Sequence, residues 1–217
     1  MSFIIRKRNE RGYADHGWLK TFHTFSFADY HDQHWMGFKT LRVINEDRIL
    51  GGTGFGMHGH NDMEIITYVL EGALRHTDSM GNIGFVKAGE VQRMSAGTGV
   101  QHAEENASAD EPCHLYQIWI LPDRTNLAPS YEQAPFWGHL AQLGKVLVAS
   151  PDGRHHSLKI HQQAEIWLQR LKAGESTTIT ILGGKSVWLQ ITGGSAKIGT
   201  DEDQAGDGIV ANSTLNI

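Results

Sequence analysis

The chain has 217 residues, 40% of them apolar, 9% aromatic and 20% charged, and 19 Lys+Arg against 24 Asp+Glu give a net charge of −5. A chain of that length buries roughly 70% of the surface it exposes when unfolded, so it folds without disulfide or metal staples. The acidic balance excludes the basic face of a nucleic-acid binder, the single Cys113 excludes an intrachain disulfide, and no apolar run approaches the ~18 residues of a membrane span.

In chain order, the apolar run within residues 1–10 is too short for a signal peptide, so a soluble cytoplasmic protein is expected. Short β-rich runs follow at 41–45 and 63–70, the second closed by Glu71-Gly72. Residues 73–77 read as a hairpin return, with Ser79-Met80-Gly81-Asn82 as the next turn. The run 114–121 alternates His114, Tyr116, Ile118 and Ile120 against Leu115, Gln117, Trp119 and Leu121. Period-two patterning with turn signals every ~8–12 residues predicts an all-β fold.

From Pro122 to Lys145 prolines interrupt any ladder, because proline supplies no donor and pins φ. One short helical turn is predicted around 136–143. Strands are then predicted at 145–149, 158–161, 164–171, 176–181, 186–192 and 195–198. This divides the chain into 1–121, a connection at 122–144, and 145–217. A degenerate repeat links the two ends of this division. Leu70-Glu71-Gly72-Ala73-Leu74 is similar in context to Ile191-Thr192-Gly193-Gly194-Ser195-Ala196, and Lys87-Ala88-Gly89-Glu90 matches Lys172-Ala173-Gly174-Glu175.

Thirteen histidines are many for this length, and none follows His161. On a strand, residues i and i+2 share a face, so His58 and His60 present two imidazoles side by side, with Gly56 and Gly59 expected to leave room. His102 and Glu104 repeat the spacing downstream. A single His-x-His is more often a surface or hydrogen-bonded pair. Two such pairs, each behind a glycine-containing turn, point to a metal site. Three neutral imidazoles and a carboxylate suit one divalent transition metal, iron first among Fe, Mn, Co, Ni, Cu and Zn. Glu64 shares the parity of His58 and His60 but lies further along, where a structural ion pair is at least as good a reading. Asp62 is either an acceptor for a ligand imidazole or a solvated turn residue.

Gly52, His58, His60, Glu64 and Gly72 resemble the first cupin motif, Gly-x5-His-x-His-x3-Glu-x6-Gly, with one extra residue before Gly72. His16-Gly17-Trp18-Leu19, His23-Thr24-Phe25-Ser26-Phe27-Ala28, Met94-Ser95-Ala96-Gly97-Thr98-Gly99 and Ile118-Trp119 resemble the pirin branch, in particular the bacterial pirin-like quercetin 2,3-dioxygenases. The resemblance covers almost the whole chain. It implies a bicupin, two β-barrels face to face, with one metal in the N-terminal barrel held by His58, His60, His102 and Glu104. Departures are Lys87 where proline is common, Gln92 near a common histidine, and an early stop after Ile209-Val210, from which a second barrel that is incomplete or completed by another segment is expected.

The resemblance implies opening of a flavonol heterocycle by O2 with loss of carbon monoxide. Four protein ligands leave two adjacent positions of an octahedral metal for substrate and O2. Glu104 is then the base that takes the substrate's 3-hydroxyl proton, or simply a fourth ligand. Phe25, Phe27, Phe38, Phe55 and Trp119 are available as walls for a flat aromatic, although most such residues are ordinary core, and His23, His34 and His114 read as hydrogen-bonded structural histidines. Two alternatives stand beside the enzyme. One is a metal-binding, redox-sensing partner of transcription regulators or metabolic enzymes, the other a different cupin enzyme.

Overall fold

The computed structural model describes residues 3–217; Met1 and Ser2, which open the stretch read against a signal peptide, lie outside the described residues. Short strands dominate, and the α-helix among the described residues is Trp137–Leu143, where a helical turn was expected. No helix is long and apolar enough to cross a membrane. The chain is all-β and forms two compact units, Tyr13–Arg170 and Leu171–Ile217 with the chain's first strand.

The larger unit holds two antiparallel sheets. One has seven strands in the order Ser130–Pro135, Glu90–Ser95, Glu64–Glu71, Cys113–Ile120, Leu41–Ile49, Leu19–His23 and Gly12–Asp15. The other has four, Gly54–His60, Val100–Asn106, Ala73–Asp78 and Ile83–Lys87. Leu19, Ile49, Val69, Cys113 and Leu115 from the first sheet meet Leu74 and Val86 from the second in one core. The Leu41–Ile49 strand runs past the predicted 41–45 through Glu46, Asp47 and Arg48. Pairing on both sides, with Leu19–His23 and Cys113–Ile120, overrides the low strand propensity of those charged residues.

The segment after the seven-stranded sheet adds a second core. Phe136, Leu140, Val146, Val148, Leu158 and Ile160 pack with Ile66, Tyr68, Val91 and Ile120. Lys145–Ser150, Leu158–Lys159 and Ile166–Gln169 form a three-stranded sheet there. Gly144, at φ 71°, ends the short helix by donating its N–H to the Leu140 carbonyl. The strands of 145–169 therefore pack within the Tyr13–Arg170 unit, a grouping that their sequence position did not suggest.

In the smaller unit, Phe3–Arg6 pairs with Gly208–Ala211, which also pairs with Val187–Gln190. Local pattern gives no hint of so distant a partner. Ile191, Ile198, Ile209, Ala211 and Leu215 form the core. Strands here are shorter than predicted, Thr178–Ile179 within 176–181 and Val187–Gln190 within 186–192. The sequence repeat has a structural counterpart. Lys87 N–H donates to Glu90 Oε2 at 3.0 Å and Lys172 N–H to Glu175 Oε2 at 2.9 Å, around Gly89 and Gly174 at φ 82° and 80°. Only a residue that tolerates positive φ closes such a turn without strain. A cavity of about 1230 Å³ in this unit is lined by Phe3, Leu171, Thr177, Ile198 and Ile217 among others, and holds none of the expected ligands.

Candidate metal centre

The Val100–Asn106 strand alternates cleanly, with Val100, His102, Glu104 and Asn106 buried and the residues between them more exposed. His102 sits opposite His58 on the neighbouring Gly54–His60 strand. Between His102 and Glu104 the register slips, so that the 54–60 strand carries an extra residue. Gly54 is the glycine this arrangement requires, since a Cβ there would run into the Glu104 carbonyl and Glu105 Cα. Gly56 and Gly59 do not have the role expected of them. A Cβ at Gly56 meets nothing within 4 Å, and at Gly59 the nearest atom is 3.8 Å away.

The ring centroids of His58 and His60 are 4.8 Å apart, those of His58 and His102 4.5 Å, and those of His60 and His102 5.0 Å. One ring nitrogen of each lies within 4.8 Å of the others. Burial, with a contribution from His58, lowers the His60 pKa to about 4. Burial, followed by His58, His60 and His76, lowers that of His102 to about 3. His60 and His102 are thereby held as neutral imidazoles able to donate a lone pair. His58 Nδ1 lies 2.8 Å from the Gly56 carbonyl, which can only accept, so Nδ1 carries the proton and Nε2 the lone pair. His102 is 1% exposed and neither of its ring nitrogens has a hydrogen-bond partner. Unpaired buried polar atoms cost ~1–3 kcal/mol each. A cation bound by the trio offsets that cost, so these residues fit a divalent metal.

Glu104 is 2% exposed and lies in a second group with His76 and His102, whose ligand atoms are also within 4.8 Å of one another. Burial pushes its carboxyl pKa up, against the pull of His76, Gln117, His58 and Gln92. Gln92 Nε2 donates to Oε1 at 2.5 Å and Gln117 Nε2 to Oε2 at 2.7 Å. Trp119 Nε1–H donates to Gln117 Oε1 at 3.0 Å, which fixes the Gln117 amide with its nitrogen toward Glu104. Tyr131 Oη, 3.1 Å from Gln92 Oε1, shares its single hydroxyl proton between that oxygen and Gln133 Oε1. Gln92, near the position where the cupin motif commonly has histidine, thus bonds the carboxylate.

His76 escaped the sequence reading as a site residue. It is fully buried, with Nε2 3.0 Å from Asp78 Oδ2. Its signal was a His-x-Asp pair at the end of a strand, the same i, i+2 spacing used for the other histidines.

The remaining candidates separate. Glu64 accepts from Ser95 Oγ at 2.8 Å and pairs with His161 Nδ1 at 3.2 Å, the structural alternative given for it. Asp62, at φ 46°, accepts the Asn126 N–H at 2.7 Å and is a turn residue. His23 bonds Asn45 at 2.9 Å and His114 bonds Glu46 at 3.1 Å, both structural. His34 is exposed, and it is its backbone N–H that donates to Asp32 Oδ1 at 3.0 Å. Phe25 is core at 1% exposure, Phe38 forms an isolated β-bridge with Leu41, and Phe55 packs edge-on to Trp18. The Trp119 ring lies 4.9 Å from that of His60 and borders the trio, and Phe27 packs edge-on against Trp119 at 5.4 Å.

The description "Pirin" matches residues 4–120, and "Quercetinase C-terminal cupin domain" matches residues 147–217. The quercetin 2,3-dioxygenase of Escherichia coli K12 is 51% identical over 205 residues, 94% of this chain and 87% of that one. The solved structure of YhhW from Escherichia coli superposes with a TM-score of 0.95 at 48% identity, covering 99% of this chain and 92% of that chain. Bacterial pirin YhhW in complex with nickel(II) gives 0.93 at 47% identity, covering 99% and 93%. Fold and sequence thus define a protein of the cupin class. Within that class, the chain belongs to the pirin family.

Proposed function

We propose that the chain is a metal-dependent dioxygenase that opens the heterocycle of quercetin or a similar flavonol with O2 and releases carbon monoxide. The observation that carries this reading is His102, buried with both nitrogens unpaired beside His58 and His60, in a chain 51% identical to a quercetin 2,3-dioxygenase.

In this reading His58, His60 and His102 hold one divalent metal, with Glu104 as a fourth ligand or as the base. The nickel(II) complex of a bacterial pirin supports a divalent ion; iron is the metal expected here, although the ligand set accepts several and affinity order alone favours copper. When bound, the metal supplies Lewis acidity toward an enolic oxygen and a centre able to engage O2. Glu104 takes the proton of the flavonol 3-hydroxyl on a carboxylate oxygen. Burial strengthens it as a base, and the Gln92 and Gln117 amides hold its carboxylate in place. Trp119 and Phe27 offer apolar surface to the flat substrate and keep water from its rings.

The division into a metal-bearing 1–121, a connection at 122–144 and a metal-free 145–217 belongs to the same reading. It is supported by the matched cupin region at 147–217 and by the absence of histidine and cysteine after His161. A cytoplasmic setting is supported by the single cysteine, Cys113, a buried free thiol that suits a reducing compartment.

The test is protein purified without added metal, analysed for elements and assayed with quercetin by loss of its visible absorbance and release of carbon monoxide. Turnover that tracks metal content is expected. One metal per chain with no turnover of any flavonol would instead favour a regulatory, metal-sensing partner.

A further inference from the structure

We propose that His76, His102 and Glu104 form a second cation seat, wholly buried, that shares His102 and Glu104 with the first, has His76 in place of His58 and His60, and accepts a late first-row divalent ion such as Co2+, Ni2+ or Zn2+. For the outer seat, and for its competition with this one, the proposal rests on the reading above; the inner seat stands on its own geometry.

The strand register builds it. On the paired Ala73–Asp78 and Val100–Asn106 strands, His76 lies directly opposite Glu104, and His102 opposite Asp78. The His76 and His102 ring centroids are 5.4 Å apart, and one ligand atom from each of His76, His102 and Glu104 lies within 4.8 Å of the others. Exposures are 0%, 1% and 2%, so an ion there has only protein around it.

Asp78 decides which nitrogen of His76 is offered. Its Oδ1 accepts the N–H groups of Met80 at 2.9 Å and Asn82 at 3.0 Å, and its Oδ2 accepts the Asn82 side-chain amide at 2.9 Å. With both of its oxygens engaged as acceptors, Asp78 is placed to accept from His76 as well. The proton on the Asp78 side of His76 therefore belongs to Nε2, which lies 3.0 Å from Oδ2. Nδ1 is left buried without a partner. A carboxylate that fixes one imidazole nitrogen and presents the other is the support recurrent behind histidine ligands of metals.

The plain alternative is a packed histidine stacked on Tyr131, 4.5 Å away. Stacking accounts for the ring's burial but leaves Nδ1 unsatisfied, as are both nitrogens of His102. Glu104 Oε1 accepts from Gln92 and from Thr67 Oγ1, whereas Oε2 accepts from Gln117 alone and keeps a lone-pair site for an ion. Since the seats share His102, an ion in one competes with an ion in the other. Only the outer seat, where His58 and His60 are half-buried, is open to a substrate.

The experiment removes the outer seat and keeps the inner one. His58→Ala/His60→Ala protein, stripped with chelator and titrated with Co2+, is expected to retain about one Co2+ per chain with a ligand-field absorption band. Adding His76→Ala to that background is expected to weaken binding about 100-fold or more, and adding Asp78→Asn about 10–100-fold. A double variant that keeps the parental circular dichroism and binds no Co2+, or a triple variant that binds as the double does, overturns the proposal. If the double variant does not fold, anomalous diffraction from His60→Ala crystals soaked in Co2+ decides, because the outer seat is disabled there. A peak between His76 and Glu104 is expected, and its absence at saturating Co2+ overturns the seat. Quercetin turnover by the parent tests the function separately, so either idea can fail while the other stands.

Discussion

Gln92 donates its side-chain amide to Glu104 across 2.5 Å, while Gln117 serves the other carboxylate oxygen at 2.7 Å. Trp119 orients the Gln117 amide by donating to its oxygen, whereas Tyr131 shares its single hydroxyl proton between the Gln92 and Gln133 oxygens. An acidic side chain that burial would neutralise is thereby kept fit to accept a proton at a fixed place.

Glu104→Gln sets an amide against two amide donors and removes the base. Partial retention of metal and a fall in quercetin turnover of about 10²-fold or more are expected, measured by elemental analysis and the absorbance assay. An unchanged rate would retire Glu104 as base and leave it at most a ligand.

His60 is half-buried, so His60→Ala should keep the parental β spectrum while losing most of the metal that survives purification, the inner seat being filled only on titration with Co2+. Unfolding instead would mark His60 as a structural element.

His161→Ala should leave metal content untouched. It should lower thermal stability by about 1–3 kcal/mol, because Glu64, 1% exposed, loses its ring partner at 3.2 Å. Metal loss in this variant would contradict the assignment of the site to His58, His60, His102 and Glu104.

Asp47 is 3% exposed, and burial, reinforced by Glu104 and Glu46, pushes its carboxyl pKa from 3.8 up to about 7. The folded state therefore binds this proton more tightly than the unfolded chain. The stabilisation that follows is full below pH 3.8, is lost as pH rises to about 7, and stays lost above that. In metal-stripped protein, Asp47→Asn should melt higher than the parent at about pH 8 and close to it at about pH 4, with a gap of up to a few kcal/mol. Equal melting curves at both ends would show that Asp47 titrates normally.

What was legible in the sequence followed local rules. The i, i+2 spacing put His58 beside His60 and put His102 and Glu104 on one buried face. Proline and glycine marked the break before the short helix, and the Lys-Ala-Gly-Glu repeat marked two turns with the same side-chain bond. What escaped depends on distant partners. Glu46, Asp47 and Arg48 look like a loop until strands flank them, and Phe3–Arg6 finds Gly208–Ala211 only through folding. His76 offered the same short-range spacing as the recognised pairs, but its closeness to Glu104 arises from cross-strand register. The glycine that mattered was Gly54, whose neighbour Glu105 is likewise supplied by another strand.

The six large apolar side chains that 136–160 lays against Ile66, Tyr68, Val91 and Ile120 have a practical corollary. A gene truncated at residue 121 would strip the covering from that face and yield a sticky, protease-sensitive product, although every candidate ligand survives the cut. The stretch from Tyr13 to Arg170 is the shorter piece worth expressing, because the seam left by ancestry near residue 120 is not where the molecule comes apart.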